Sequence, residues 1–246
     1  MNAVYKKPAS LCEGVINQYC PGCMHATAVK LIAEVLDELK FAGKTVMVAG
    51  VGCNADGMFY LDVDILSVPH GRGCASATGF KRCSPDNLVF TYQGDGDLAS
   101  IGLAETMHAA NRGENFTVIF INNALYGMTG GQMAPTTLEG MKTTTTPKGR
   151  NPELQQGYPM HMCEILSSMK ATAYIARGTC TTAQQVRKTK EYIKKAFQCQ
   201  LEGRGFSMVE ILSSCPSNWK MSPLQTLDYI DQNMIPEFPL GEFKTY

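Results

Sequence analysis

The chain has 246 residues, 44% of them hydrophobic, which suits one α/β domain with a well-buried core and excludes disorder as its main character. Lys plus Arg total 22 and Asp plus Glu total 22, so no net field draws the surface toward nucleic acid or anionic lipid. The apolar stretches are broken far below the roughly 20 residues that span a bilayer, and the first ten residues hold no apolar signal core, so a cytoplasmic chain with no membrane or nucleic-acid partner is expected.

Val29, Ile32, Leu36 and Leu39 recur at spacings of three and four, which predicts a helix over 24–39 directly after the turn Cys20-Pro21-Gly22-Cys23. Lys44–Ala49 and Leu88–Gln93 are short apolar runs that end at Gly50 and Gly94 and read as buried strands. Between them the small residues from Ala75 to Phe80 suit a close-packed helix. Leu98–Asn111 reads as a helix, and Phe116–Ile121 as a strand of the kind a parallel sheet buries on both faces. Met133 to Pro159 fits neither period and is long enough to suggest a functional loop or a partner contact. Ala171–Ala176, Thr181–Leu201 and Phe206–Leu212 then repeat the strand, helix, strand alternation. The expectation is a single doubly wound, mostly parallel α/β domain over residues 1–246, with an irregular tail at about 216–246.

Gly94-Asp95-Gly96 closes one predicted strand and Asn122-Asn123 closes the next, with 25 residues between the two motifs. A right-handed crossover brings the carboxyl ends of successive parallel strands to one edge, where open α/β sheets bind ligands. Asp95 and Asn123 then supply a carboxylate and an amide oxygen, hard ligands of the kind Mg²⁺ prefers, with diphosphate oxygens and a backbone carbonyl near Leu125 to complete the shell. A Gly-Asp-Gly alone is also a common turn; the asparagine pair at the matching strand end is what gives it weight.

Ten cysteines in a chain with no export signal point to metal rather than to a disulfide scaffold. Cys20 and Cys23 can reach one ion or cluster, while Cys53 follows the first strand and Cys215 the last. By themselves they leave a cluster, a redox dithiol, a structural zinc and an unremarkable turn all open. Cys12, Cys74, Cys83, Cys163, Cys180 and Cys199 have no ligand-like context and read as structural.

Gly94-Asp95-Gly96 with Asn122-Asn123 looks like the thiamine diphosphate signature, and Tyr126-Gly127-Met128-Thr129-Gly130-Gly131-Gln132 resembles the β subunit of the 2-oxoacid:ferredoxin oxidoreductase family. Tyr19–Cys23, Gly50–Cys53, His70-Gly71-Arg72, Ala77-Thr78-Gly79 and Cys215–Trp219 extend the resemblance over roughly residues 15 to 220. It implies Mg²⁺ held by Asp95, Asn123 and the Leu125 carbonyl, with Gly94, Gly96, Asp97, Thr129 and Gly130 around the diphosphate and thiazolium. It also implies a [4Fe–4S] cluster on Cys20, Cys23, Cys53 and Cys215.

The activity so implied is oxidative decarboxylation of a 2-oxoacid to acyl-CoA and CO₂, dependent on thiamine diphosphate and coenzyme A, with electrons leaving through the cluster to ferredoxin. The family also places the pyrimidine-binding domain on an α subunit, with γ and δ subunits as further candidates, so the chain is expected to work beside partners. His70 and Arg72 are candidate active-site groups, the guanidinium being suited to a carboxylate or phosphate. His25, His108 and His161 read as structural. Arg187 to Lys195 is basic on one helix face, where a solvated surface competes with ferredoxin docking. A non-oxidative thiamine-dependent decarboxylase or synthase, and a non-catalytic electron-transfer subunit, are the alternatives; iron content and cofactor extraction separate them.

Overall fold

The structure, a computed structural model, describes residues 6–246. Helix α1 (His25–Leu39) leads through a 3-10 turn to strand β1 (Thr45–Ala49), then β2 (Asp64–Ser67), α2 (Gly73–Cys83) and β3 (Leu88–Gly94). A π-helical turn, Gly96–Ile101, precedes α3 (Leu103–Arg112), β4 (Thr117–Asn122) and a small hairpin, β5 (Leu125–Tyr126) with β6 (Gln132–Met133). After a long loop come α4 (Met162–Ser167), β7 (Thr172–Thr179), α5 (Ala183–Leu201) and β8 (Phe206–Leu212). The chain continues as α6 (Pro216–Trp219), α7 (Pro223–Tyr229), α8 (Ile235–Glu237) and β9 (Gly241–Lys244).

The central sheet runs β2-β1-β3-β4-β8-β7-β9, parallel throughout except for β9. β1, β3, β4 and β8 bury almost every residue, as strands covered on both faces must. On one face α1 and α5 pack through Ile32, Leu36, Ile193 and Phe197 onto Phe90, Ile119 and Val209. On the other, α2, α3 and α4 pack through Ala77, Ala110 and Leu166 against Val89, Phe120 and Met208. The chain passes from β1 outward to β2 and then returns across β1 to β3 on its other side, so the strand order reverses between β1 and β3. The crevice at their carboxyl ends is the place where such sheets take ligands.

Four elements differ from the expected pattern. β2 was missed because an edge strand with a half-exposed face carries little apolar signal. The stretch expected as one helix over Leu98–Asn111 is a π turn followed by a break at Gly102, whose N–H reaches back to the Asp97 carbonyl at 2.9 Å. Helix α4 follows the long loop in a stretch that carries no expectation, and it is too short to show a period; the burial of Met162, Cys163 and Leu166 holds it. The segment expected as an irregular tail is mostly helical and ends as an antiparallel strand on β7, with Trp219, Ile230, Met234 and Phe238 covering Ala124 and Leu125.

The basic face of α5 is not a free patch. Lys190 bonds Glu34 at 2.7 Å and Glu38 at 2.8 Å, Lys194 bonds Glu38 at 2.8 Å, and Lys195 bonds Glu242 at 2.7 Å. Lys190, Lys194 and Lys195 thus join α5 to α1 and β9.

The loop from 133 to 161 gathers several of its carbonyls on one residue. Arg150 is buried and donates to the carbonyls of Pro135 (2.9 Å), Thr137, Gly157 (2.9 Å) and Tyr158 (2.7 Å). Carbonyls that no helix or sheet satisfies thus find a common donor. Arg150→Ala is expected to lower stability by about 3 kcal/mol, because several buried acceptors lose a charged donor at once. Urea unfolding measures the loss, and limited proteolysis should place the first cut between residues 133 and 161.

Candidate active site

A cleft at the carboxyl edge of the sheet is lined by His25, Gly52, Cys53, His70, Asp95, Asp97, Asn123 and the loop from Leu125 to Thr129. No lysine or arginine is among its described lining residues.

Asp95 caps the π turn, its Oδ1 accepting from the Gly96 N–H at 2.9 Å, while its Oδ2 accepts from the Thr136 hydroxyl at 2.9 Å. It is 3% exposed, and burial pushes its carboxyl up from the usual carboxylate range to about 7 despite those donors. A buried carboxylate with no cationic side chain beside it suits a divalent ion with spare coordination sites. Asn123 follows β4, and Gly94 and Ile121 are paired across β3 and β4, so the two strand ends lie side by side as the spacing predicts. The turn after Asn123 is sharp: Ala124 takes a left-handed φ of 61°, uncommon for a side-chain-bearing residue. Asn122 Oδ1 stabilises it by accepting from the Ala124 N–H at 3.1 Å, and Trp219 Nε1 donates to the Asn123 carbonyl at 3.2 Å. Gly96 lies against the ring of Tyr126, where any β-carbon would overlap it.

Asp97 lines the cleft and is engaged on both oxygens. It is 1% exposed, and its Oδ1 accepts from the Gly71 N–H at 2.8 Å and bonds His70 Nδ1, while Oδ2 accepts from Gln93 Nε2 at 2.6 Å. A carboxylate oxygen on Nδ1 favours the tautomer with its proton there, which leaves Nε2 as the free nitrogen of a ring that borders the cleft.

The cysteine loops arrive at the same edge. The Cys20–Cys23 turn closes through a 2.9 Å bond from the Cys23 N–H to the Cys20 carbonyl. It is tied to the segment after β8 by the Ser214 hydroxyl, which donates to the Gly22 carbonyl at 2.6 Å. Burial pushes Cys23 up to about 12 and Cys53 up to about 11, and in both the charges of the neighbouring cysteines add to it. Cys215 is also raised, burial first, against the Asn218 amide, whose Nδ2 lies 3.3 Å from Sγ. Thiols so crowded cannot ionise together unless a cationic metal joins them, and metal uptake would release their protons.

Gly127 is where the two constellations meet. A β-carbon built on it would lie 3.4 Å from Asn123 Nδ2, 3.5 Å from Cys53 Sγ and 3.8 Å from Cys215 Sγ. Among the described residues, no three His, Cys, Asp or Glu side chains are drawn together closely enough to hold a single metal ion.

Residues 42–211 match the family described as thiamine pyrophosphate enzyme, C-terminal TPP binding domain. The chain is 46% identical over 226 residues to the ketoisovalerate oxidoreductase subunit VorA of Methanothermobacter thermautotrophicus, covering 92% of this chain and 47% of that protein. It is 37% identical over 215 residues to the 2-oxoglutarate synthase subunit KorB of Archaeoglobus fulgidus, covering 87% of this chain and 76% of that one. A solved 2-oxoglutarate:ferredoxin oxidoreductase from Magnetococcus marinus, with 2-oxoglutarate, coenzyme A and succinyl-CoA bound, superposes with a TM-score of 0.81 at 27% identity, over 100% of this chain and 87% of that one. The chain belongs to the 2-oxoacid:ferredoxin oxidoreductase family. It spans about half the length of the VorA relatives it matches.

In this family member the structure brings Gly94, Asp95, Gly96, Asn123, Leu125, Cys53, His70 and Thr129 to one cleft. The Leu125 N–H donates to Asn123 Oδ1 at 3.3 Å, closing the turn around Ala124. Thr129 stands at the mouth, its hydroxyl donating to Gln132 at 2.7 Å. Gly130, with φ 106°, continues the loop outward and does not line the cleft. Arg72 departs from expectation. At the start of α2 its guanidinium pairs with Glu105 of α3 on the outer surface, and it does not reach the cleft.

Sequence reasoning passed over His25 and Thr136. His25 is buried, stacks on Tyr19 at 5.1 Å and bonds Tyr92 Oη at 2.7 Å; burial lowers it to about 4, so it faces the cleft as a neutral ring. Its place two residues after Cys23 was the only signal. Thr136 had none, since it comes from a loop without periodicity.

Proposed function

We propose that this chain is the thiamine diphosphate-binding subunit of a 2-oxoacid:ferredoxin oxidoreductase. It would catalyse oxidative decarboxylation of a 2-oxoacid to acyl-CoA and CO₂, together with an α subunit carrying the pyrimidine-binding domain. The observation that carries the reading is Gly127, a single glycine between the Asn123 amide and the sulfurs of Cys53 and Cys215. Two cofactor sites that share one wall suit electron transfer between them. A non-oxidative thiamine enzyme has no use for the second site.

When bound, thiamine diphosphate supplies the carbanion chemistry that releases CO₂ from a 2-oxoacid, and a [4Fe–4S] cluster supplies one-electron acceptance. Asp95 and Asn123, with the Leu125 carbonyl, would hold Mg²⁺, and the Gly94 and Gly96 backbone would lie along the diphosphate. Cys20, Cys23, Cys53 and Cys215 would hold the cluster, with the Asn218 amide softening the charge on Cys215. His70, its Nδ1 proton fixed by Asp97, would present Nε2 to the substrate side for proton transfer or carboxylate binding.

The test is anaerobic purification of the full chain with its co-produced partner subunits, followed by a panel of 2-oxoacids with coenzyme A and a viologen acceptor. Viologen reduction dependent on a 2-oxoacid is expected; its absence across the panel in iron-loaded protein would sink the reading. In the same assay Asp97→Ala should lower kcat by about 100-fold, because Nδ1 loses the acceptor that fixes its proton and the ring loses its orientation. Cofactor affinity should stay within about threefold of wild type.

A further inference from the structure

Behind the Asn122-Asn123 turn a buried polar row crosses the sheet. Asn122 Nδ2 donates to Glu210 Oε1 of β8 at 2.7 Å, and Glu210 Oε2 accepts from Arg177 Nε of β7 at 2.7 Å and from the Cys163 thiol at 3.1 Å. Glu210 and Arg177 are register partners, and both side chains are fully buried. Arg177 uses its other nitrogens on Glu164, at 2.9 and 2.6 Å, and on the Pro239 carbonyl at 3.1 Å. Its guanidinium lies 5.3 Å from the Phe238 ring centre and 4.8 Å from that of Phe243.

Such a row is costly to bury, and core packing alone does not need it. Its direction supplies a reason. Arg177 takes one oxygen of Glu210, which leaves the other as an acceptor with only Asn122 to meet. Asn122 must therefore turn its NH₂ toward Glu210 and its oxygen the other way, onto the Ala124 N–H. That contact holds the left-handed residue that separates Asn123 from Leu125.

We infer that Glu210, oriented by Arg177, is a positioning residue for the metal-binding turn: through the Asn122 amide it sets the conformation at Ala124 and so the placement of Asn123 and Leu125. The inference rests on the functional reading above, which gives Asn123 and Leu125 their role as ligands. Neither Glu210 nor Arg177 lines the cleft. Asn122, the first residue of the asparagine pair, thus acts as a coupler rather than as a ligand.

The row makes a sharp demand on Glu210→Gln. The substituted amide keeps Arg177 satisfied by aiming its oxygen at Nε, which aims its NH₂ at Asn122 and forces the Asn122 amide to turn over. The turned amide points a donor at the Ala124 N–H. Adding Asn122→Asp restores an acceptor on both sides, since a carboxylate accepts from the substituted amide and from the Ala124 N–H alike.

The experiment is calorimetric titration of thiamine diphosphate with Mg²⁺ into the full chain purified with its partner subunits, with thermal unfolding of each variant recorded alongside. Glu210→Gln should raise Kd about 10- to 100-fold, the range for partners that orient metal ligands, and the double variant N122D/E210Q should recover most of it. Asn122→Ala, which leaves the Glu210 to Arg177 pair intact, should weaken binding similarly and serves if Glu210→Gln does not fold. Wild-type affinity in either single variant, or a loss in Glu210→Gln that the second substitution does not repair, overturns the inference. No binding by wild type would instead overturn the functional reading on which it stands.

Discussion

Asp95→Ala is expected to weaken Mg²⁺-dependent binding of thiamine diphosphate by more than about 100-fold, since on the proposed reading it would delete a metal ligand rather than a residue that orients one. Circular dichroism titration of the full chain with its partners measures it. A second reading separates this from simple damage. The carboxyl of Asp95 rises from its ordinary 3.8 to about 7 on folding, chiefly by burial. The folded chain therefore holds that proton more tightly than the unfolded one, and stability is lost as pH rises through the window between those values. At about pH 8, without metal, the carboxylate carries its full burial cost, and the alanine variant should unfold at the same or a higher temperature than wild type. Tighter folding with lost binding is the signature of a ligand; undiminished affinity would withdraw Asp95 from the metal.

Cys215→Ser should reduce iron from about four per chain to less than about one and abolish 2-oxoacid-driven viologen reduction, since a serine hydroxyl replaces a thiolate that four-iron clusters require. Cys20→Ser, Cys23→Ser and Cys53→Ser should behave alike. Cys12→Ser and Cys199→Ser, the former at the edge of a different pocket and the latter in the α5 core, should keep full iron. Anaerobic iron analysis with electron paramagnetic resonance of the reduced protein decides. Zinc in the wild type, or a full cluster in Cys215→Ser, would remove the electron-transfer half of the mechanism.

The sequence made the frame legible where one physical signal dominated. The buried strands Leu88–Gly94 and Thr117–Asn122 stand out as unbroken apolar runs, and their glycine and asparagine ends mark the ligand edge. What stayed illegible came from contacts between distant segments. Arg72 reads as an anion binder because its motif sits beside His70, but the start of α2 turns its side chain outward to Glu105. Asp97 looks like part of the phosphate loop; only the fold reveals that Gly71, Gln93 and His70 surround it. The segment after Cys215 lacks a clean period because its helices are short and each is broken by proline or by a π turn. Their burial against Ala124 and Leu125 decides their conformation.

The lack of lysine and arginine among the described residues lining the cleft bears on competition as much as on affinity. A site built from dipoles and a carboxylate exerts no long-range pull on anions, so it gains nothing from diffusional steering. On the proposed reading, phosphate and nucleotides would gain little from the bare cleft until a divalent ion joined Asp95, so the metal would arrive with or before the diphosphate and would be part of how the site chooses its occupant.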